Sequence, residues 1–183
     1  MSILRSFHVD DMFKFNNVNL DVWSETFGIG FYLLYLSQWP ELCCVQQSPG
    51  QRIMGYIIGK AEGNGPEWHT HISALSVAPE YRRLGMANKL VALFEHVSEE
   101  LYQGFFIDLF VRCANHIAES MYERLGYSVY RRVREYYGSL GLGKSGKDEE
   151  DAFDMRKPLS KDITRRSVRT NGRDIVVSAH DVS

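Results

Sequence analysis

The chain has 183 residues, of which 44% are hydrophobic, and a formal net charge of −2. This length favours one domain, and the hydrophobic fraction is sufficient for a full core. The near-neutral charge excludes a general affinity for nucleic acid. An apolar run of about 18 residues, as a transmembrane helix requires, is not present, and we expect neither a signal peptide nor a membrane segment. The spacing of Cys43, Cys44 and Cys113 predicts no metal site, so a cytoplasmic protein of a reducing compartment is expected.

Hydrophobic periodicity predicts seven strands and four helices of an α/β protein. In chain order these are a strand at Ile3–Phe7, a helix at Asp10–Val18, a helix at Phe31–Trp39, strands at Leu42–Gln46, Ile53–Lys60 and Trp68–Val77, a helix at Ala87–Leu101, a strand at Phe105–Val111, a helix at His116–Leu125, and strands at Tyr127–Val133 and Asp151–Lys157.

The second predicted helix, Phe31–Trp39, is apolar nearly all round. A helix of this kind must be covered on more than one side. It is therefore either a deeply buried core helix or a surface that a partner covers.

Two segments are predicted to lack regular structure. Residues 138–150 are rich in Gly, Ser and charged residues and predict a mobile loop. The domain is expected to span residues 1–158, and the polar, mildly basic tail at 159–183 is expected to be disordered unless a partner holds it.

The segment between the fourth strand and the long helix predicts an anion site. A Pro-Glu turn leads to Arg82, Arg83 and Gly85 at the helix start. Such a helix start presents unpaired backbone N–H groups and the positive end of the helix dipole. Gly85 allows close approach of a ligand, and the arginines add charge, which suits a phosphate or pyrophosphate. The alternative is an ordinary helix start with solvated arginines.

The pattern Arg82-x-x-Gly85-x-Ala87 resembles the acetyl-CoA-binding motif of the GNAT family of N-acetyltransferases. A second family signature runs from Asn115 through Tyr122 to Leu125-Gly126-Tyr127, and the predicted element order matches the family over about residues 2–157. The resemblance implies a mixed, mostly antiparallel seven-stranded sheet flanked by four helices, with the fourth and fifth strands splayed apart.

The family resemblance also implies which residues bind acetyl-CoA. Backbone of the fourth strand would pair with the pantetheine arm, and the helix start would hold the pyrophosphate. Asn115 would reach the pantetheine or the substrate, unless it is only a helix N-cap. The implied cofactor-binding residues are Leu75, Ser76, Val77, Arg82, Arg83, Leu84, Gly85, Met86, Ala87, Asn115 and Tyr122.

Three residues are candidates for the chemistry. Tyr122 occupies the position of the family tyrosine that donates to the leaving CoA thiolate, although an aromatic residue there could also simply pack on the sheet. His71 is the best titratable candidate for the base, acting through water, and a substrate contact is the other interpretation of it. Glu25 is the second base candidate, directly or as a charge partner for the amine.

Within the family, the segments around Glu25, His71 and Tyr136 resemble catalytic subunits of N-terminal acetyltransferases of the NatB type. This resemblance implies acetylation of nascent chains that start Met-Asp, Met-Glu, Met-Asn or Met-Gln. It also implies a large helical-repeat auxiliary subunit, which contacts the region of the first two helices and docks the enzyme at the ribosome. No direct nucleic-acid or membrane contact is expected.

The implied peptide cleft combines apolar residues for the methionine side chain with donors for the second residue. Phe27 stands where the family has Tyr, and Ser73 where Thr is common. A GNAT enzyme acting on lysine or a small amine, and a non-catalytic acyl-CoA-binding module, are the alternatives. The implied substrate-binding residues are Glu25, Phe27, Gly28, Tyr32, His71, Ser73, Asn115, Tyr136 and Tyr137.

Overall fold

The structure, a computed structural model, describes residues 2–20, 23–139 and 151–182. Its residues group into two compact units. The first unit comprises Met1–Asn64 and Thr70–Gln103, and the second comprises Gly65–His69 and Gly104–Ser183. Most of the predicted mobile loop, residues 140–150, lies outside the described residues.

The first unit contains four strands in the order β1-β2-β3-β4, with β1–β2 and β2–β3 antiparallel. Two helices accompany them. Their bounds are β1 Ile3–Ser6, α1 Ile29–Gln38, β2 Cys43–Gln47, β3 Ile53–Glu62, β4 His69–Val77 and α2 Met86–Glu100.

Aromatic rings form the core between α1 and these strands. Phe7, Phe15 and Tyr56 are buried and contact one another edge to face at 5.4–5.9 Å between ring centroids. From α1, Tyr32 and Tyr35 join the same cluster, which we call the aromatic cluster. These rings orient α1, so that its opposite side is left exposed.

The predicted first helix, Asp10–Val18, is wrong. The structure has only a 3-10 turn at Val9–Phe13. The buried Asp11 carboxylate accepts two hydrogen bonds from the Arg5 guanidinium, at 2.7 and 2.8 Å, and one from the His8 backbone N–H at 2.9 Å. These bonds hold the turn against β1, and the chain beyond it delivers Phe15 to the core instead of continuing a helix.

The second unit contains four strands in the order β5-β7-β6-β8. The β5–β7 and β6–β7 pairs are antiparallel, whereas β6–β8 is parallel. Its elements are β5 Phe106–Arg112, α3 His116–Arg124, β6 Ser128–Arg134, α4 Tyr136–Ser139, β7 Ala152–Pro158 and β8 Val176–Ser178.

The prediction of a disordered tail after residue 158 is also wrong, because this segment packs against its own chain. Leu159 is buried, and its N–H donates to the Phe105 carbonyl at 2.9 Å. Asp162 then closes a turn by accepting from the N–H and hydroxyl of Ser167 at 3.0 and 2.6 Å. The segment ends in β8, which extends the sheet beside β6.

The α/β class is confirmed, and the part of the chain that the structure describes contains eight strands, one more than predicted, because β8 was not predicted. Among the described residues, three of the four predicted helices are present, and the four-residue helix α4, which was not predicted, overlaps only the start of the loop predicted at 138–150. Among the described residues, we find no helix long and apolar enough to cross a membrane.

Candidate active site

The predicted anion site lies in a turn with two left-handed residues. Arg83 has φ +60° and Gly85 has φ +76°. Gly85 is the N-cap of α2, and no side chain caps this helix start. Arg82 donates from Nε to the Val77 carbonyl at 3.1 Å, which ties the turn to the end of β4.

This turn presents donors to solvent. Arg82, Arg83 and Leu84 are exposed, and a Cβ built on Gly85 would meet no atom within 4 Å. The first N–H groups of an α-helix have no partner within the helix. A tetrahedral anion could therefore approach the backbone here closely, which is the chemistry that pyrophosphate binding needs. Met86, the first residue of α2, is in contrast buried.

The side chains of β4 do not alternate regularly. Ser73 and Ser76 are three positions apart, so an undisturbed strand would direct them to opposite faces. Instead Ser73 Oγ donates to the Tyr35 hydroxyl at 3.0 Å, and Ser76 Oγ lies 3.3 Å from Ser24 Oγ. Ala74 packs against the aromatic cluster that includes Tyr35. The alternation is thus interrupted between Ser73 and Ala74, and both hydroxyls have partners in their own chain.

The remaining predicted residues of the first unit differ in their surroundings. His71 is buried on β4, and Glu25 is half-buried in the segment before α1. Phe27 stacks on Phe31 with 4.0 Å between ring centroids. Tyr32 belongs to the aromatic cluster, and burial raises the pKa of its hydroxyl. Tyr32 is therefore a core residue beneath this region, not an exposed pocket wall.

In the second unit, α3 carries Tyr122 and begins at Asn115. The Asn115 side chain accepts from the Ala118 N–H at 3.2 Å, so it is a helix N-cap, as the structural alternative predicts. Tyr122 is buried, and its ring contacts Tyr127 edge to face at 5.5 Å. Burial raises the pKa of the Tyr122 hydroxyl well above its usual range. This hydroxyl is consequently protonated throughout the neutral pH range.

The paired tyrosines lie in α4 and are held by β5. Tyr136 stacks on Phe110 with 4.2 Å between ring centroids. The Tyr137 hydroxyl donates to the Phe110 carbonyl at 3.2 Å, and the Arg112 guanidinium lies 3.8 Å from the centre of its ring. Tyr137 is thus locked in place by both its ring and its hydroxyl.

Sequence reasoning missed the supporting residues Ser24, Phe110 and Arg112. Nothing in their spacing signals these roles, because each depends on a contact between distant parts of the chain. Among residues 2–20, 23–139 and 151–182, no three His, Cys, Asp or Glu side chains are grouped to hold a metal ion.

Residues 11–127 match the model of the acetyltransferase (GNAT) family, which is more than half of the chain. The chain belongs to the GNAT family. The predicted anion-binding turn, residues 82–85, and α3 both lie inside the matched region. This agrees with the two signatures in the sequence.

The GNAT relatives similar to this chain include N-terminal acetyltransferases. The N-terminal acetyltransferase B complex catalytic subunit naa20 of Schizosaccharomyces pombe is 52% identical over 185 aligned positions, covering 100% of this chain and 99% of that protein. Among solved structures, Chaetomium thermophilum Naa20 in complex with a bisubstrate analogue has a TM-score of 0.92 at 38% identity, with 99% of each chain covered. A NatB acetyltransferase complex bound to CoA and MES has a TM-score of 0.75 at 42% identity, covering 86% of this chain and 99% of that one.

Proposed function

We propose that this chain is the catalytic subunit of a NatB-type N-terminal acetyltransferase and acts in the cytoplasm. It would transfer acetyl from acetyl-CoA to the α-amino group of chains that start Met-Asp, Met-Glu, Met-Asn or Met-Gln. The observation that carries the proposal is the 52% identity to a NatB catalytic subunit over the full length of both proteins. Identity of this extent includes the segments on both sides of the cofactor motif, where peptide specificity would lie.

The anion-binding turn fits the pyrophosphate of acetyl-CoA. Arg82 and Arg83 supply positive charge, the α2 start supplies backbone donors, and Gly85 leaves open space above the backbone. Leu75, Ser76 and Val77 would offer their backbone to the pantetheine arm. When bound, acetyl-CoA supplies an acetyl group activated as a thioester.

Tyr122 would stabilise the leaving thiolate by hydrogen bonding. A thiol has a pKa of about 8.5, and an unperturbed tyrosine one of about 10. Because burial raises the pKa of Tyr122 further, complete proton transfer from its hydroxyl to a thiolate is unfavourable by more than about 2 kcal/mol. A hydroxyl that stays protonated is well suited to donate to a developing negative charge. The role of Tyr122 is therefore that of a hydrogen-bond donor.

The amine must lose a proton to react, and His71 is the residue that we assign to accept it, through water. It is buried on β4, and an imidazole ring nitrogen can accept a proton from a bridging water. Glu25 would act as the second base or hold the amine by its charge. A half-buried carboxylate retains more attraction for a cation than a fully solvated one.

The peptide would lie against aromatic walls. Phe27, with its ring stacked on Phe31, supplies an apolar surface for the methionine side chain. Tyr136 would supply a further aromatic surface for the peptide, together with Tyr137. Because the Tyr137 hydroxyl already donates to Phe110, we assign Tyr137 a packing role.

A peptide panel tests this function. The full chain, with and without a NatB auxiliary subunit, receives acetyl-CoA and peptides that begin Met-Asp, Met-Leu or Ser-Glu, or that have a blocked N-terminus and a free lysine. Preference for Met-Asp supports the proposal. Preference for the blocked peptide would indicate a lysine acetyltransferase, and CoA binding without any turnover would indicate a binding module.

The exposed side of α1 would contact the auxiliary subunit, and the ribosome would be reached through that subunit. Tyr32 and Tyr35 face the core, whereas Ile29, Leu33 and Leu34 are 66%, 43% and 48% exposed. Their positions place Ile29 and Leu33 one helical turn apart on one apolar strip. Such a strip is costly in water and favours coverage by a large apolar surface.

A matched pair of variants tests the contact. Leu33→Glu should abolish co-purification with the auxiliary subunit while the chain stays folded. Leu101→Glu changes a leucine of similar exposure, 59%, beyond the end of α2, and should leave the complex intact. Equal retention of both variants would contradict this assignment.

A further inference from the structure

Arg173, in the C-terminal segment, forms ion pairs with the helix that carries Tyr122, α3. Its Nη2 atom lies 2.6 Å from Glu119 Oε1 and 2.7 Å from Glu123 Oε1. These two glutamates are one helical turn apart on α3, and Tyr122 lies between them in sequence. One guanidinium nitrogen therefore bridges two successive turns of the helix.

Arg173 is itself held firmly on the sheet. A Cβ placed on the preceding Gly172 would overlap the Val129 carbonyl oxygen, so only glycine permits this backbone approach. Directly after it, the Ile175 carbonyl accepts from the Arg132 N–H at 2.8 Å, and β8 pairs with β6. Further upstream, the Arg169 guanidinium lies 3.7 Å from the centre of the Tyr130 ring. The segment is thus anchored to β6 on both sides of Arg173.

Glu119 makes this bridge necessary for the position of α3. Its carboxylate is nearly buried, with a side-chain exposure of 9%, and its other ionic neighbour is the exposed His116 imidazole at 3.3 Å. When a buried carboxylate loses its cationic partner, its free energy is lowered by movement toward water. Movement of Glu119 toward solvent would rotate or shift α3 and displace Tyr122, three residues later.

We propose that Arg173 is a positioning residue of the active site, which holds α3 and thereby the Tyr122 hydroxyl in the geometry for acetyl transfer. This inference rests on the proposed function, because it needs a reaction in which Tyr122 takes part. A displacement of about 1 Å in an active-site group can reduce a rate by up to about a hundredfold. The segment after residue 158 is then part of the catalytic unit and not a dispensable tail.

Three variants of the full chain, in complex with its auxiliary subunit, test the proposal. For Arg173→Gln we expect kcat to fall about tenfold, with the KM for acetyl-CoA within about twofold of the wild type, since the anion-binding turn is untouched. Arg173→Lys should restore most of kcat, because a single nitrogen makes both bridges. Arg165→Gln removes an exposed arginine of the same segment and should leave kcat unchanged.

The kcat values of Arg173→Gln and its control distinguish a positioning role from a general effect of altering this segment. If Arg173→Gln keeps the wild-type kcat, or if kcat falls equally in Arg165→Gln, the proposal is overturned. A double-mutant cycle with Glu123→Gln adds a second readout: the two changes should be non-additive in kcat, and strict additivity would contradict the bridge.

Hydrogen exchange separates this inference from the proposed function. Backbone amides of α3 should exchange several-fold faster in Arg173→Gln than in Arg165→Gln. If the wild type acetylates none of the peptides, the proposed function fails, and faster α3 exchange would still establish the bridge. Unchanged α3 exchange would overturn the bridge whatever the activity.

Discussion

Substitution of Gly85 by alanine separates the folding role of the anion-binding turn from its binding role. Gly85 has φ +76°, a conformation that alanine adopts at a cost of about 1–2 kcal/mol. No atom lies within 4 Å of the added Cβ, so the substitution causes no clash within the chain. The expected fall in melting temperature is about 2–8 °C for a chain of this size.

The effect on acetyl-CoA should be larger than the effect on folding. The added methyl group occupies the space through which a pyrophosphate would reach the backbone N–H groups at the start of α2. Loss of one hydrogen bond to a charged group weakens binding by about 1.5–3 kcal/mol. We therefore expect the KM for acetyl-CoA to rise about 10- to 100-fold, with a smaller change in the KM for peptide.

Gly65 offers a matched control. It also has a positive φ, +55°, and a Cβ there would likewise meet nothing within 4 Å. Gly65→Ala should lower the melting temperature by a similar amount and leave the KM for acetyl-CoA unchanged. Melting curves and steady-state kinetics of the two variants provide the comparison. A similar KM in both would refute the assignment of the turn to the pyrophosphate.

Three further changes test other parts of the molecule. Tyr122→Phe should lower kcat about 10- to 100-fold with little change in either KM, since one charge-assisted hydrogen bond is lost; an unchanged kcat would remove the residue from the mechanism. Asp11→Asn should destabilise the chain by about 1–3 kcal/mol in urea unfolding at neutral pH. Burial of Asp11 opposes ionisation, but hydrogen bonds from Arg5 and the His8 N–H lower its pKa, so this stability is present above about pH 4 and lost as pH falls through the folded-state pKa; a difference between wild type and Asp11→Asn that does not shrink as the pH falls below about 4 would contradict the ion pair. Gly172→Ala should cost about 3 kcal/mol or more, because its Cβ would overlap the Val129 carbonyl; a wild-type unfolding midpoint would show that the backbone approach is looser than described.

The amino-acid sequence by itself determined the features that depend on neighbours in the chain. Seven strands and three long helices follow from periodicities of two and 3.6 residues, which side-chain geometry imposes locally. The turn before α2 was predictable for the same reason, since Arg82, Arg83, Gly85 and the start of α2 lie within one short segment. The N-cap at Asn115 is equally local, and its side chain bonds a backbone N–H three residues later.

Only the tertiary structure decided the features that depend on distant residues. The sequence around Asp11 predicts a helix start. In the structure, the ion pair of Asp11 with Arg5 of β1 limits the helix to a short 3-10 turn. Regular alternation along β4 would direct Ser73 and Ser76 to opposite faces, yet their hydroxyls contact Tyr35 and Ser24 of the segment around α1. The polar composition after residue 158 indicates disorder, but the segment is ordered by contacts with distant residues. These are the close approach of the Gly172 backbone to β6 and the ion pairs of Arg173 with α3, which local composition does not reveal. The Arg5–Asp11 pair spans 6 residues but forms only when the turn folds back onto β1, and the other contacts join segments 38 residues or more apart, which is why no local pattern contains them.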